Sequence, residues 1–151
     1  MFLGLGVMPV GADQPQLEQV DVFPAGMNDV ALYRIPGMVV TPKGTVLAYC
    51  EARKDSRSDW GEIEVHLRRS FDGGKTWQRG SVPQSPVYFP DIRMANQKSG
   101  WLVGQSGGIL HTADGGASWQ AQSWGQGDLA MGVYPFDPQT VWTVGSNNSR
   151  D

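Results

Sequence analysis

Two arginines and one aspartate in the first half of the chain are the residues whose types and spacing could do chemistry. Arg34 lies in the segment Y-R-I-P, Arg53 ends the segment E-A-R, and Asp59 follows in a charged loop. A guanidinium group binds a carboxylate through two parallel N–H bonds, which fix both its distance and its orientation. A loop carboxyl group can protonate a departing oxygen and then activate water. These residue types suit recognition of an acidic ligand and acid–base chemistry beside it.

Arg34 and Asp59 also have purely structural interpretations. Arg34 could be an exposed arginine at the entrance of a strand, and Asp59 a solvated loop acid paired with Arg57 or Lys54. Pro36 restricts the backbone of the residue before it, so we expect extended geometry at Ile35.

Short strands separated by turns must position these residues. The sequence predicts strands at 37–40 and 45–50 around a T-P-K-G turn, and an alternating strand at 62–68. No segment shows a sustained helical period with cap signals. The chain is therefore expected to be all-β.

An eight-residue turn occurs twice and gives the chain a repeat. It reads S-F-D-G-G-K-T-W over 70–77 and T-A-D-G-G-A-S-W over 112–119, 42 residues later. A second landmark, G-W-L-V-G over 100–104, returns as V-W-T-V-G over 141–145, offset by 41 residues. A period of this size with short strands is typical of β-propeller blades.

This turn is the Asp-box, and its pattern predicts a structural role. The aspartate can accept N–H bonds across the hairpin, the hydroxyl residue can do so more weakly, and the glycines allow positive φ. The tryptophan would anchor the turn on its blade. One carboxylate is too few for a calcium site. The residues concerned are Ser70, Asp72, Gly74, Thr76 and Trp77 in the first copy and Thr112, Asp114, Gly116, Ser118 and Trp119 in the second.

The repeat also predicts the domain organisation. Residues 25–151 would form a partial β-propeller of about two and a half four-stranded blades, at about 30–82, 85–124 and 128–151. Residues 1–24 are interpreted as a clipped signal peptide and lead segment, because an apolar run precedes the small residues Val10-Gly11-Ala12. We therefore expect an exported protein.

The ordered stretch from Tyr33 to Trp77 resembles the N-terminal portion of the exo-α-sialidase (neuraminidase) family with its Asp-box (BNR) repeats. The resemblance implies a sialidase-type propeller that hydrolyses terminal sialic acids of glycoconjugates without a cofactor. Arg34 would be the first of three arginines that hold the substrate carboxylate, Arg53 would help position the sugar, and Asp59 would be the acid/base. Sialidases use a tyrosine nucleophile in place of a second carboxylate.

The rest of the chain departs from that pattern. No segment after Trp77 matches the nucleophilic tyrosine, its activating glutamate or the other two clamp arginines, so we expect the isolated 151-residue chain to be inactive. Asp91, in F-P-D-I-R, stands near the place of an assisting aspartate but in a different context.

The second half favours an alternative. Residues 96–145 are similar to the repeats of photosystem assembly-factor-type propellers, which bind partners and perform no chemistry. The alternative function is therefore a non-catalytic Asp-box module that binds a glycan or a protein. An unfinished blade also predicts self-association through its edge.

Composition excludes several classes of partner and site. The net charge is -3 and the chain has no basic run, which argues against binding nucleic acid. No segment is long enough to span a membrane. His66 and His111 stand alone on strands, so we expect no metal site. Cys50 is the only cysteine and lies in an apolar strand, which indicates a buried, inert thiol.

Overall fold

The computed structural model describes residues 19–26, 28–55, 61–83, 91–105, 107–122 and 129–146, and within them the secondary structure is all strand and turn. The strands in chain order are β1 (Leu32–Val40), β2 (Val46–Arg53), β3 (Ile63–Ser70), β4 (Gln78–Arg79), β5 (Asp91–Met94), β6 (Gly100–Val103), β7 (Ile109–Thr112), β8 (Gln120–Gln122), β9 (Leu129–Pro135) and β10 (Val141–Ser146).

The strands form three antiparallel meanders, each built from neighbours in sequence. The first sheet has the order β1-β2-β3-β4, the second β5-β6-β7-β8, and the third consists of β9 and β10. Several connections within the sheets are tight turns with glycine where the backbone needs positive φ. Gly44, for example, has φ +83° and donates its N–H to the Thr41 carbonyl at 2.8 Å. The three sheets fall within the predicted blades, while the domain boundaries themselves stay a prediction.

The core lies between consecutive sheets. Leu47, Tyr49 and Leu67 of the first sheet pack with Ile92, Leu102, Leu110 and Trp119 of the second. The opposite face of the second sheet packs Trp101, Val103 and Ile109 against Ala130 and Val133 of β9. The middle sheet is thus covered on both faces, which is why β6 is buried along its whole length.

The second Asp-box turn sits directly on the first sheet. A Cβ at Gly116 would lie 2.9 Å from the Leu47 side chain, and Gly116 has φ +81°. Glycine is therefore required here both for conformation and for close approach. The second Asp-box turn therefore closes its hairpin and also packs against the neighbouring sheet.

Two sequence predictions about single residues can be compared with the backbone and its surroundings. Cys50 is buried, and burial raises the pKa of its thiol to about 12, in keeping with an inert group. The expectation of extended geometry at Ile35 is wrong, because Ile35 has φ +54°. A one-residue bulge between Arg34 and Gly37 imposes this conformation and outweighs the preference that Pro36 exerts.

We expect the two Asp-box tryptophans to contribute very differently to stability. Trp119 is 4% exposed and belongs to the core between the sheets, whereas Trp77 is only partly buried and donates its indole N–H to the Gly74 carbonyl at 2.8 Å. Trp119→Ala should lower the free energy of unfolding by about 3–5 kcal/mol, the usual cost of removing a buried aromatic. Trp77→Ala is the matched control with a smaller loss. Equal losses in urea unfolding would contradict this packing.

Candidate functional site

The backbone of the Y-R-I-P segment is strained just after Arg34. Arg34 pairs in register with Glu51, and the bulge that follows contains Ile35 at φ +54°. A β-branched residue with positive φ is an outlier, and bulges re-aim the side chains next to them. Strained residues of this kind cluster at functional sites. Arg34 itself is exposed.

A buried ion pair lies beside Arg34. Glu51 and Arg53 are each 4% exposed, and the Glu51 Oε2 accepts bonds from Arg53 Nε at 3.0 Å and Nη2 at 2.8 Å. Two charge-assisted bonds to one carboxylate fix the plane of the guanidinium. Glu51 therefore holds Arg53 in place, on the same face of the sheet as Arg34.

Sequence reasoning assigned no role to Glu51. The sequence did contain a signal for this pair. Residues two apart on a strand point to the same face, so E-A-R places the Glu51 carboxylate on the same face as Arg53. What the sequence could not give is the burial that makes this pair strong.

Tyr33 anchors the segment on the opposite face. Its hydroxyl lies 3.1 Å from His66 Nδ1, and the other ring nitrogen of His66 lies 3.4 Å from the Glu64 carboxylate. Burial lowers the pKa of His66 and raises that of Tyr33. Both rings are therefore neutral near pH 7, with the Tyr33 hydroxyl donating to Nδ1. This contact ties β1 to β3 across the intervening β2.

Asp59 and its suggested partner Arg57 lie outside the described residues. The role predicted for Asp59 is therefore not tested by the structure. The loop that contains Asp59 leaves the end of β2 and enters the start of β3. These two strand ends are neighbours in the sheet, since Arg53 of β2 pairs with Ile63 of β3 and also with Leu32 of β1. Lys54, the other suggested partner, has its ammonium 3.1 Å from Glu62 and 3.2 Å from Glu64. The roles of Arg34, Arg53 and Asp59 stay predictions.

The two Asp-box turns share one hydrogen-bond pattern. In the first, Asp72 Oδ1 accepts the Thr76 N–H at 2.9 Å and Oδ2 accepts the Thr76 hydroxyl at 2.6 Å. Asp114 and Ser118 repeat both distances in the second. These bonds serve the turn itself, and within the described residues no cluster of three or more metal-ligating side chains occurs.

The hydroxyl residue contributes more than the sequence suggested. Ser70 and Thr112 are both fully buried. The Ser70 hydroxyl donates to Asp72 at 2.8 Å and accepts the Gly74 N–H at 2.8 Å, and Thr112 makes the equivalent bonds to Asp114 and Gly116 at 2.8 Å each. The hydroxyl is thus a central partner of the turn.

The Asp-box carboxylates are acidic for a physical reason. Hydrogen bonds from Thr76 lower the pKa of Asp72 to about 2. Burial raises the pKa of Asp114, but bonds from Ser118 and Thr112 outweigh it and bring the value to about 2. Bonds that favour the ionised form produce this shift.

Asp91 and His111 connect the second sheet to the third. The Asp91 carboxylate accepts the Val133 N–H at 3.0 Å, and its other oxygen lies 3.5 Å from Arg93. His111 lies 2.9 Å from the Ser99 hydroxyl, which donates to the Pro138 carbonyl at 3.1 Å. These contacts give Asp91 a structural function between blades.

A match to a known protein family agrees with the two Asp-box turns. The family model of photosynthesis system II assembly factor YCF48, a BNR-repeat family, matches residues 60–149, which is 90 of the 151 residues. The chain belongs to this family.

Its relatives also include sialidases. It is 46% identical over 65 residues to a sialidase of Bacteroides fragilis (strain YCH46), and 35% identical over 79 residues to a sialidase of Micromonospora viridifaciens. These matches cover 42% and 52% of this chain but only 12% of each sialidase. The chain therefore carries sialidase-like BNR repeats and spans a small part of the length of these relatives.

A solved structure supports the architecture. The chain superposes on a structure described as YCF48 bound to D1 peptide, with a TM-score of 0.52 and 20% identity over 72% of this chain and 32% of that one. The expected incomplete all-β propeller is confirmed at the level of fold. No helix among the described residues is long and apolar enough to cross a membrane, and export stays a prediction.

Glu51→Gln should be much more damaging than the same change at an exposed ion pair. It removes the carboxylate charge of Glu51 from the buried Arg53, and breaking a buried ion pair costs about 3–5 kcal/mol. Glu62→Gln is the matched control, because Glu62 contacts Lys54 with 77% of its side chain exposed and such pairs contribute about 0–1 kcal/mol. Urea unfolding measures both, and similar losses would show that Glu51 does not balance Arg53.

The Asp-box carboxylates should make stability depend on acid pH. Their folded pKa values of about 2 lie below the ordinary 3.8. The stabilisation is therefore complete above the unfolded value and is lost as pH falls through about 2. The double variant Asp72→Asn, Asp114→Asn should be less stable than wild type at pH 6, with the difference shrinking towards pH 2.

Asp21→Asn, at an exposed position outside both turns, is the control for that pH series. The urea midpoint of each variant is measured at every pH of the series. A deficit of constant size at every pH would mean that the carboxylate charges do not supply the stabilisation.

Proposed function

We propose that the first sheet supplies the carboxylate-recognising half of a sialic acid site in an exo-α-sialidase. Arg34 binds the carboxylate of the sugar, Arg53 positions the ring, and Asp59 is the acid/base that protonates the leaving oxygen. The observation that carries the proposal is the exposed Arg34 on a strained bulge, beside the buried Glu51–Arg53 pair.

Preorganisation supports this assignment. Arg53 enters the site with its guanidinium already fixed by Glu51, so little side-chain freedom is lost on binding. Arg34 lies one strand away on the same face, with Tyr33 bonded to His66 behind it. An exposed arginine whose backbone is held on both sides suits bidentate recognition of a carboxylate.

The proposal divides binding from chemistry. Binding needs Arg34 and Arg53, which lie within the first sheet. Hydrolysis also needs a tyrosine nucleophile, and no residue after Trp77 is assigned that role. The 151-residue chain is therefore expected to bind sialic acid weakly and to leave a fluorogenic sialoside intact, while a propeller that contains the remaining groups would turn it over.

A second candidate function is a non-catalytic module that binds a protein partner. The match of residues 60–149 to the YCF48 family favours it, and the solved YCF48 structure holds a D1 peptide. A peptide partner for the second and third sheets would fit that relationship.

Arg34→Ala should abolish sialic acid binding, and Arg34→Lys should weaken it, because a lysine ammonium cannot form the two parallel bonds of a guanidinium. Saturation-transfer NMR with free N-acetylneuraminic acid measures the effect, and the methyl ester of the sugar tests whether the carboxylate is the recognised group. Arg93→Ala is the control, since Arg93 is an exposed arginine of the second sheet.

Two outcomes oppose the proposal. Wild-type protein that binds no sialic acid would favour the protein-binding module. Binding that survives Arg34→Ala unchanged, or that is equally strong for the methyl ester, would place recognition elsewhere.

A further inference from the structure

Strand β1 contains a bulge directly after Arg34. Its pairing with β2 shifts by one residue between Arg34 and Gly37, so the two residues between them, Ile35 and Pro36, face one residue of β2. On a regular strand, side chains alternate, and residues three apart would point to opposite faces. The bulge instead places Arg34 and Gly37 on the same side of the sheet.

The third sheet has a bulge at the equivalent place, but without strain. Gly132 stands three residues before the end of β9, as Gly37 does in β1. The register of β9 shifts just before Gly132, so Ala130 and Met131 face one residue of β10. Neither Ala130 nor Met131 has positive φ, whereas Ile35 has φ +54°.

The residue that follows Ile35 gives a physical reason for this difference. The first residue of a bulge commonly lies near the right-handed α region, and in the alternative type it lies in the left-handed region, where glycine is usual. A proline disfavours the right-handed α region in the residue before it. Pro36 therefore leaves Ile35 the left-handed form, whereas Ala130 precedes a methionine and is not restricted in this way.

Both ends of the bulge in β1 are held in place. On one side, the Tyr33 hydroxyl lies 3.1 Å from Nδ1 of His66. On the other side, Gly37 lies against the ring of Tyr49, and an added Cβ would overlap that ring. Tyr49 is buried and belongs to the core between the first two sheets. Sliding of the strand therefore cannot release the strain at Ile35, and strain persists only where the surroundings over-determine it.

We propose that Pro36 is a positioning residue for Arg34 and acts by forcing the left-handed conformation on Ile35. The bulge type sets the local twist of β1, and bulges of this kind re-aim neighbouring side chains at active sites. In the third sheet, where the bulge is unstrained, Leu129 stands in the place of Arg34.

The inference rests on the proposed function, in which Arg34 binds the carboxylate of the sugar. Two parallel N–H bonds to a carboxylate require a fixed orientation of the guanidinium. Sites of this kind tolerate a deviation of only about 10–20°. A change of bulge type is therefore enough to weaken binding without moving Arg34 to another pair of the sheet.

Two single variants relieve the strain in different ways, and both change exposed residues. Pro36→Ala allows Ile35 to enter the right-handed region and should re-aim Arg34. Ile35→Gly retains the left-handed conformation without its steric cost. In NMR titrations with N-acetylneuraminic acid, Pro36→Ala should bind about tenfold more weakly than wild type, and Ile35→Gly about fivefold more tightly than Pro36→Ala.

NMR of the unliganded protein tests the mechanism independently of sialic acid. The intraresidue Hα–HN distance reports the sign of φ at residue 35, which should be positive in wild type and Ile35→Gly and negative in Pro36→Ala. The urea midpoint of Pro36→Ala should be no lower than that of wild type, because relief of strain at Ile35 offsets the freedom that the unfolded chain gains without the proline.

Three results would overturn the inference. Positive φ at residue 35 in Pro36→Ala would show that the proline does not select the bulge type. Equal affinity of wild type and Pro36→Ala would show that the aim of Arg34 does not depend on it. A clearly lower urea midpoint for Pro36→Ala would make the proline a purely structural residue. Wild-type protein that binds no sialic acid would instead overturn the proposed function, on which the role of Arg34 rests.

Discussion

Strand β6 is apolar and buried along its whole length, and β2 is buried from Leu47 to Arg53; this constraint governs the rest of the molecule. A sheet whose central strand is apolar on both sides cannot stand alone in water and needs a neighbour on each face. The first and second sheets satisfy one another through Leu47, Leu102 and Trp119. The second and third do so through Trp101 and Val133. Stacking of successive meanders is the direct consequence.

The Asp-box fits this scheme because it closes a hairpin where the next contact begins. Its buried hydroxyl and its carboxylate accept the N–H groups of Gly116 and Ser118 locally, so the turn can lie against another sheet with these groups paired. Gly116 then allows the turn to approach Leu47. A motif that looks like a local turn signal is therefore also a contact between blades.

The candidate site uses the same sheet for a different purpose. Towards the middle of the first sheet, the face that meets the second sheet carries Tyr49 and Leu67, and at the strand ends it carries Arg34, Glu51 and Arg53. The apolar packing of Tyr49 and Leu67 and the buried Glu51–Arg53 pair flank the exposed Arg34, which precedes the strained Ile35. Under the proposed function, the apolar contact supplies rigidity and the charges supply selectivity for an anion.

The sequence by itself determined the all-β class, the repeat and the two Asp-box turns, because spacing and turn chemistry are local properties. It also indicated Arg34, Arg53 and Asp59 through a resemblance to sialidases. Only the tertiary structure decided that Glu51 is buried against Arg53 and that Tyr33 meets His66 across a strand. It also decided that Ile35 adopts positive φ. These depend on register, on a one-residue bulge and on which face is covered, and they involve residues that are distant in sequence. For the same reason, the equivalent tryptophans Trp101 and Trp142 look alike in the sequence but differ in exposure, since among the described residues a sheet packs on Trp101 alone.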